Sequence, residues 1–291
     1  MILDIANREV EIIAQNEQNI IRRVAGLKMF LTDRTYKDQK LIFETDQKIE
    51  LTAKLPKPIH SFYSNNQRCT LSKIGESYIF DIEENDEYPN AKFILTNNKV
   101  LSNIDSNKLS APHLLGFSLW MAYNLFIINQ NAITIHASTI VFNNKAILFL
   151  GESGTGKSTH SNLWEQHFPG SYVLNDDSPI ITIENDQILI YGSPWSGKGR
   201  RFHNQVFPLK AIVRIEQAPF NKIETLSKLH AIGAVLPSLP PSFAYDDKLL
   251  DLQTNILSKI ISKTKVYKLK CLPNLEAAQT SHDGIYNTTT F

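Results

Sequence analysis

The residues best suited to chemistry sit in the run Gly151-Glu152-Ser153-Gly154-Thr155-Gly156-Lys157-Ser158-Thr159. It fits the pattern G-x-x-x-x-G-K-[ST], in which each fixed position has a task. Glycine lets the backbone wrap so that successive N–H groups point at phosphate oxygens, and a helix starting there adds the positive end of its dipole. Lys157 can reach the β- and γ-phosphates, and the Ser158 hydroxyl can ligate magnesium. Gly151, Ser153, Gly154, Thr155, Gly156, Lys157, Ser158 and Thr159 are therefore expected to cradle a nucleoside triphosphate such as ATP, with Mg2+.

A second group follows at Asn175-Asp176-Asp177. Two adjacent carboxylates beside a phosphate loop can divide the labour of phosphoryl transfer. One accepts a proton from an attacking hydroxyl, and the other helps Ser158 hold the metal. His136 stands upstream on an expected strand, where a lone histidine is more often structural than catalytic. The run Gly192-Ser193-Pro194-Trp195-Ser196-Gly197-Lys198-Gly199-Arg200-Arg201 reads as a basic loop. A cation there, Lys198 first, can stabilise charge on a transferred phosphoryl group.

These residues need elements that bring them to one edge. Lys145–Leu150 is an apolar run, and Lys157–Phe168 reads as a helix closed by Pro169-Gly170, so the phosphate loop lies between strand and helix. Tyr172–Leu174 completes a βαβ unit, which places Asp176 and Asp177 at the same edge as the loop. Ile133–Phe142 reads as one strand antiparallel to 145–150, so the sheet is expected to be mixed. Strands at Ile180–Glu184, Gln187–Tyr191, Lys210–Ile215 and Val266–Leu269 follow, with helices near 226–236, 245–262 and after Pro273.

Residues 1–110 read as a smaller β-rich domain, bounded by the polar stretch 97–107. Candidate strands are Arg8–Ile13, Arg22–Leu31, Lys40–Glu44, Lys48–Ala53, Arg68–Ile74, Tyr78–Glu83 and Ala91–Leu95. The uncharged segment 114–135 approaches a membrane-spanning length. Asn124, Asn129, Gln130 and Asn131 interrupt it, which favours a buried helix at 112–130.

In this order, His136, the loop 151–158, Asn175-Asp176-Asp177 and Pro194-Trp195-Ser196-Gly197-Lys198 resemble the catalytic domain of HPr kinase/phosphorylase, itself similar to phosphoenolpyruvate carboxykinases. The resemblance spans roughly 131–220 and is strongest to the branch that includes kinases of lasso-peptide precursors. It implies an α/β P-loop kinase domain over 111–291. It further implies Asp176 as the base that deprotonates a serine hydroxyl, Asp177 and Ser158 near magnesium, and His136 supporting Asp176. Lys157 and Lys198 complete the catalytic set. The acceptor it implies is a hydroxyl of a peptide, small protein or metabolite, and such enzymes assemble as homo-oligomers. The glutamate-arginine-glycine signature of HPr kinases is absent, and Tyr191-Gly192-Ser193-Pro194 stands in its region. Two other readings fit the loop: a nucleotide hydrolase or carboxykinase-like enzyme, and a nucleotide-sensing module without transfer.

Composition excludes several other classes. The 291 residues carry a net charge of +1 with 42% hydrophobic residues, so no basic field recommends nucleic acid or an anionic membrane. Two cysteines, Cys69 and Cys271, form no C-x-x-C, and the charged N-terminus lacks the apolar core of a signal peptide. A cytoplasmic protein is the expectation.

Overall fold

The computed structural model describes residues 1–34, 40–50 and 57–287. The chain divides into two compact units, Met1–Gln130 with Ser242–Leu250 and Asn131–Pro241 with Asp251–Phe291. The division thus falls after the helix expected at 112–130, where the sequence placed the boundary at 110.

The first unit is built on an eight-stranded sheet of β1 (Ile2–Ile5), β2 (Arg8–Ile13), β3 (Lys40–Glu44), β4 (His60–Ser64), β5 (Gln67–Ile74), β6 (Ser77–Ile82), β7 (Ala91–Thr96) and β8 (Lys99–Ser102). Its order is β1-β2-β3-β8-β7-β6-β5-β4, antiparallel except where β3 pairs with β2 and β8. The segment expected as a strand at 22–31 is instead helix α1 (Glu17–Arg23) followed by a 3-10 turn at Leu27–Phe30. Asn16 caps that helix by accepting the Asn19 N–H, which starts the helix upstream of the expected strand. Residues 48–50 form no strand, and the rest of the expected strand 48–53 lies outside the described residues. Helix α2 (Pro112–Ile127) starts on proline, whose missing N–H costs nothing at that position. It is buried on most sides and packs over β3, β6 and β7. Among the described residues no helix is long and apolar enough to cross a membrane.

The second unit carries a mixed sheet with β9 (Ala132–Thr134), β10 (Ser138–Phe142), β11 (Lys145–Leu150), β12 (Tyr172–Asn175), β13 (Ile180–Glu184), β14 (Gln187–Tyr191), β15 (Val206–Gln217), β16 (Lys222–Thr225) and β17 (Val266–Cys271). β10 lies antiparallel between β11 and β12, while β15 runs parallel to both β11 and β17. The hairpin β13–β14 turns on Asn185 and Asp186, both at positive φ, a conformation that Asn and Asp tolerate. The helices are α3 (Lys157–His167), α4 (Lys228–Val235), α5 (Asp247–Lys263), which belongs to this unit from Asp251 on, and α6 (Leu275–Tyr286). Trp164 of α3 packs with Ile147, Phe149, Val213 and Ala278 into the core. That core fixes α3, and α3 fixes the loop at its start.

The expected single strand 133–142 is two. Residues 135–137 leave the sheet because their N–H groups are claimed elsewhere: Ile135 donates to Pro179 O, His136 to Ser238 O and Ala137 to Asp177 O. This break puts His136 beside the acidic turn.

Candidate functional site

Residues 151–156 turn from β11 into α3. Gly156, the residue before the helix, has φ of 101° and Gly154 has φ of 82°, both in the left-handed region that glycine tolerates best. Gly151 is required by space. A Cβ there would overlap the Thr155 hydroxyl and stand 3.3 Å from the Ile215 carbonyl. Thr155 in turn donates its hydroxyl to Glu152 O at 2.8 Å, which tightens the turn.

Lys157 is buried, and its Nζ donates to Gly151 O at 2.9 Å, Glu152 O at 3.1 Å and His136 Nε2 at 3.0 Å. An ammonium has three donors and no acceptor, so His136 Nε2 must accept and its ring proton must sit on Nδ1. His136 Nδ1 lies 3.2 Å from Asp177 Oδ1. A directed chain results: Lys157 to His136 to Asp177. Burial lowers the Lys157 pKa; the Asp177 charge opposes that shift and Arg214 adds to it.

Asp176 is placed differently from its neighbour. Its Oδ1 accepts from the Ser196 hydroxyl and from Gly197 N at 2.9 Å, and its Oδ2 accepts from Gly199 N at 2.9 Å. The carboxylate that the His136 ring meets is Asp177, not the Asp176 expected to be oriented or electrostatically supported by it. Asp176 is 9% exposed, whereas the Asp177 side chain is 39% exposed. The two carboxylates have separated, one held by the 196–199 loop and the other beside His136.

Asn175 holds this turn to the basic loop. Its buried Oδ1 accepts Asp177 N at 3.0 Å and Ser178 N at 2.8 Å, while Nδ2 donates to Ser193 O at 3.2 Å and Trp195 O at 3.0 Å. Sequence alone assigns no role to Asn175, Ser193, Ser196, Gly197 or Gly199. The alternation of small residues in Ser196-Gly197-Lys198-Gly199 was the available signal, since close approach to a carboxylate excludes larger side chains.

A cleft of about 1040 Å³ collects most of the expected residues. His136, Ser153, Gly154, Gly156, Lys157, Ser158, Thr159, Asp176, Asp177 and Lys198 all line it. Gly151 and Thr155 shape the loop from outside that lining.

Among solved structures, the chain is similar to the HPr(Ser) kinase/phosphatase from Coxiella burnetii. The likeness covers 52% of this chain and 95% of that one, at 16% identity and a TM-score of 0.31. No protein-family model matches the chain, and no curated protein matches it. At that level of likeness the chemistry has to be read from this chain's own side chains.

Those side chains suit magnesium better than a metal held by protein alone. Among the described residues no group of three or more His, Cys, Asp and Glu is placed to hold a metal ion. Mg2+ needs no such group, because it takes one or two carboxylates with substrate phosphates and keeps several waters. Ser158 and Asp177 line the same cleft and supply that kind of donor set.

Proposed function

We propose that the protein is a nucleoside-triphosphate- and Mg2+-dependent phosphotransferase acting on a hydroxyl, a serine of a peptide or small protein or an alcohol of a metabolite. The observation that carries the reading is the Lys157–His136–Asp177 chain in a cleft shared with the glycine loop. Backbone N–H groups of 153–158 and the start of α3 receive the phosphates. Lys157, now satisfied by two loop carbonyls and His136, exchanges one of those contacts for a phosphate oxygen. Ser158 would hold Mg2+ together with the phosphate oxygens, and that ion would neutralise charge on the transferred group.

Asp177 is the proton acceptor in this reading, in place of Asp176 and in preference to the Mg2+-ligand role that its position in the cleft also allows. One of its oxygens is oriented by the His136 N–H, and the carboxylate stays accessible to an incoming hydroxyl. Asp176, with three donors on its two oxygens, holds the loop that carries Lys198. A cleft of about 1040 Å³ has room for an acceptor beside a triphosphate, which favours transfer over hydrolysis or simple sensing.

The test is Asp177→Asn, assayed for phosphate transfer and for Mg2+-dependent nucleotide affinity. Transfer should fall by about 10²–10⁴-fold with affinity held within a few fold, the range for a lost general base. Lost Mg2+-dependent affinity would instead make Asp177 a metal ligand. Unchanged transfer would take the proton-accepting role away from Asp177, and no transfer by the native protein would leave only a nucleotide pocket.

A further inference from the structure

A second cavity borders the same glycine loop. This cavity holds about 480 Å³ and shares Gly154, Gly156 and Thr159 with the cleft. Its remaining wall comes from α3 and from the last residues of β15 and β17 and the chain just after them, including Leu163, Ile215, Pro219, Leu272 and Pro273. β11, β15 and β17 are adjacent and parallel, so these segments all emerge at the carboxyl edge of the sheet, where open α/β sheets bind ligands.

The chemistry of the cavity is narrow. No Asp, Glu, Lys or Arg lines it, so it does not suit a second anion or a metal. Its one histidine, His160, is tied through Nε2 to Ser281 at 2.9 Å. Beside the Thr155 and Thr159 hydroxyls, its lining offers the amide of Gln217, which donates to Gly154 O at 3.3 Å and stands 63 residues away in sequence. An apolar slot of this size with one adaptable amide fits an uncharged planar ring.

We propose that this cavity holds the base and ribose of the nucleotide whose phosphates occupy the cleft, between Leu163 on one side and Pro219 and Pro273 on the other. The proposal rests on the reading of 151–159 as a triphosphate site. An amide can turn to offer a donor or an acceptor, and no carboxylate is present to pair with the N–H edge of guanine. Discrimination between adenine and guanine is accordingly weak, within about tenfold, where a dedicated polar site reaches far larger ratios.

Calorimetry with Mg2+ and either ATP or inorganic tripolyphosphate tests this. ATP should bind the native protein at least about tenfold more tightly than tripolyphosphate, a difference of about 1.4 kcal/mol. Ala218→Trp, which fills the cavity, should bring ATP down to the tripolyphosphate level and leave tripolyphosphate unchanged. Tripolyphosphate binding doubles as the check on folding. If Ala218→Trp fails that check, Leu272→Trp, at a side chain that is 37% exposed, takes its place. Equal affinities in the native protein, or ATP affinity untouched by the filled cavity, overturn the base pocket while the phosphate site stands. Failure of both ligands to bind overturns both.

Discussion

Asp176 and Asp177 are neighbours with opposite surroundings, and the difference is set by the glycines at 197 and 199. Both donate backbone N–H groups to Asp176, and a Cβ on Gly199 would run into its Oδ2. Gly199→Ala should therefore displace the Asp176 carboxylate, loosen the loop carrying Lys198 and lower transfer. Nucleotide affinity should stay close to native, because the 151–159 loop is untouched. A misplacement of about 1 Å at a positioning residue costs on the order of 10²-fold. Steady-state rates set beside nucleotide affinity check this, and a loss confined to affinity would mean that the loop serves binding alone. The residue types at this site were legible from the sequence, but their pairing was not. Which carboxylate meets His136 depends on the break at 135–137 and on Ser196 and Gly197 approaching from about twenty residues downstream. Neither leaves a local pattern.

At the scale of elements, the hydrogen bonds between α3 and α6 meet at one serine. Ser281 Oγ donates to Ala278 O at 2.8 Å, so it must accept from both Trp164 Nε1 and His160 Nε2, each at 2.9 Å. His160 consequently carries a proton on Nε2, and burial, by pushing its pKa down from 6.5 to about 4, keeps the ring neutral near pH 7. The unfolded chain binds a proton there that the folded chain refuses. This stability is fully present above pH 6.5 and is lost as pH falls toward 4, by up to ~3 kcal/mol. Denaturant midpoints measured across that window should fall with acid, and His160→Gln, which keeps an N–H donor, should flatten the slope. A slope unchanged in the variant would assign the acid sensitivity elsewhere. Elements with strong periodicity or clear punctuation were readable: α2, α3, the hairpin β13–β14 and the antiparallel pair β10–β11. Short pieces were not. β1, β4, β8 and β16 span four or five residues each, too few for alternation to stand out, and β8 lay inside a stretch whose polarity read as a linker.

At the scale of the molecule, the chain leaves the first unit at residue 130 and sends 242–250 back to it. Sequence could not reveal this return, because a segment of nine residues has no composition of its own. Within that unit the returning segment is tied by particular contacts. Tyr245 stacks on His60 with ring centres 4.2 Å apart, and Asp246 accepts from Tyr78 OH at 3.3 Å and from Leu249 N at 3.0 Å. Lys73 Nζ reaches Asp246 at 3.5 Å, a contact whose worth is modest in so long a geometry. Asp246 also stands one residue before α5 and satisfies an orphan N–H of its first turn, the task of a helix cap. Asp246→Ala removes the cap and the Tyr78 acceptor together, and should cost about 1–2 kcal/mol. Every residue of the proposed phosphate and transfer site lies between 136 and 201, in the other unit. The variant should therefore lower the unfolding temperature while leaving tripolyphosphate affinity within about twofold, since separated sites add independently. Thermal scans beside calorimetry decide it: a collapse of phosphate binding in Asp246→Ala would make the returning segment part of the binding machinery.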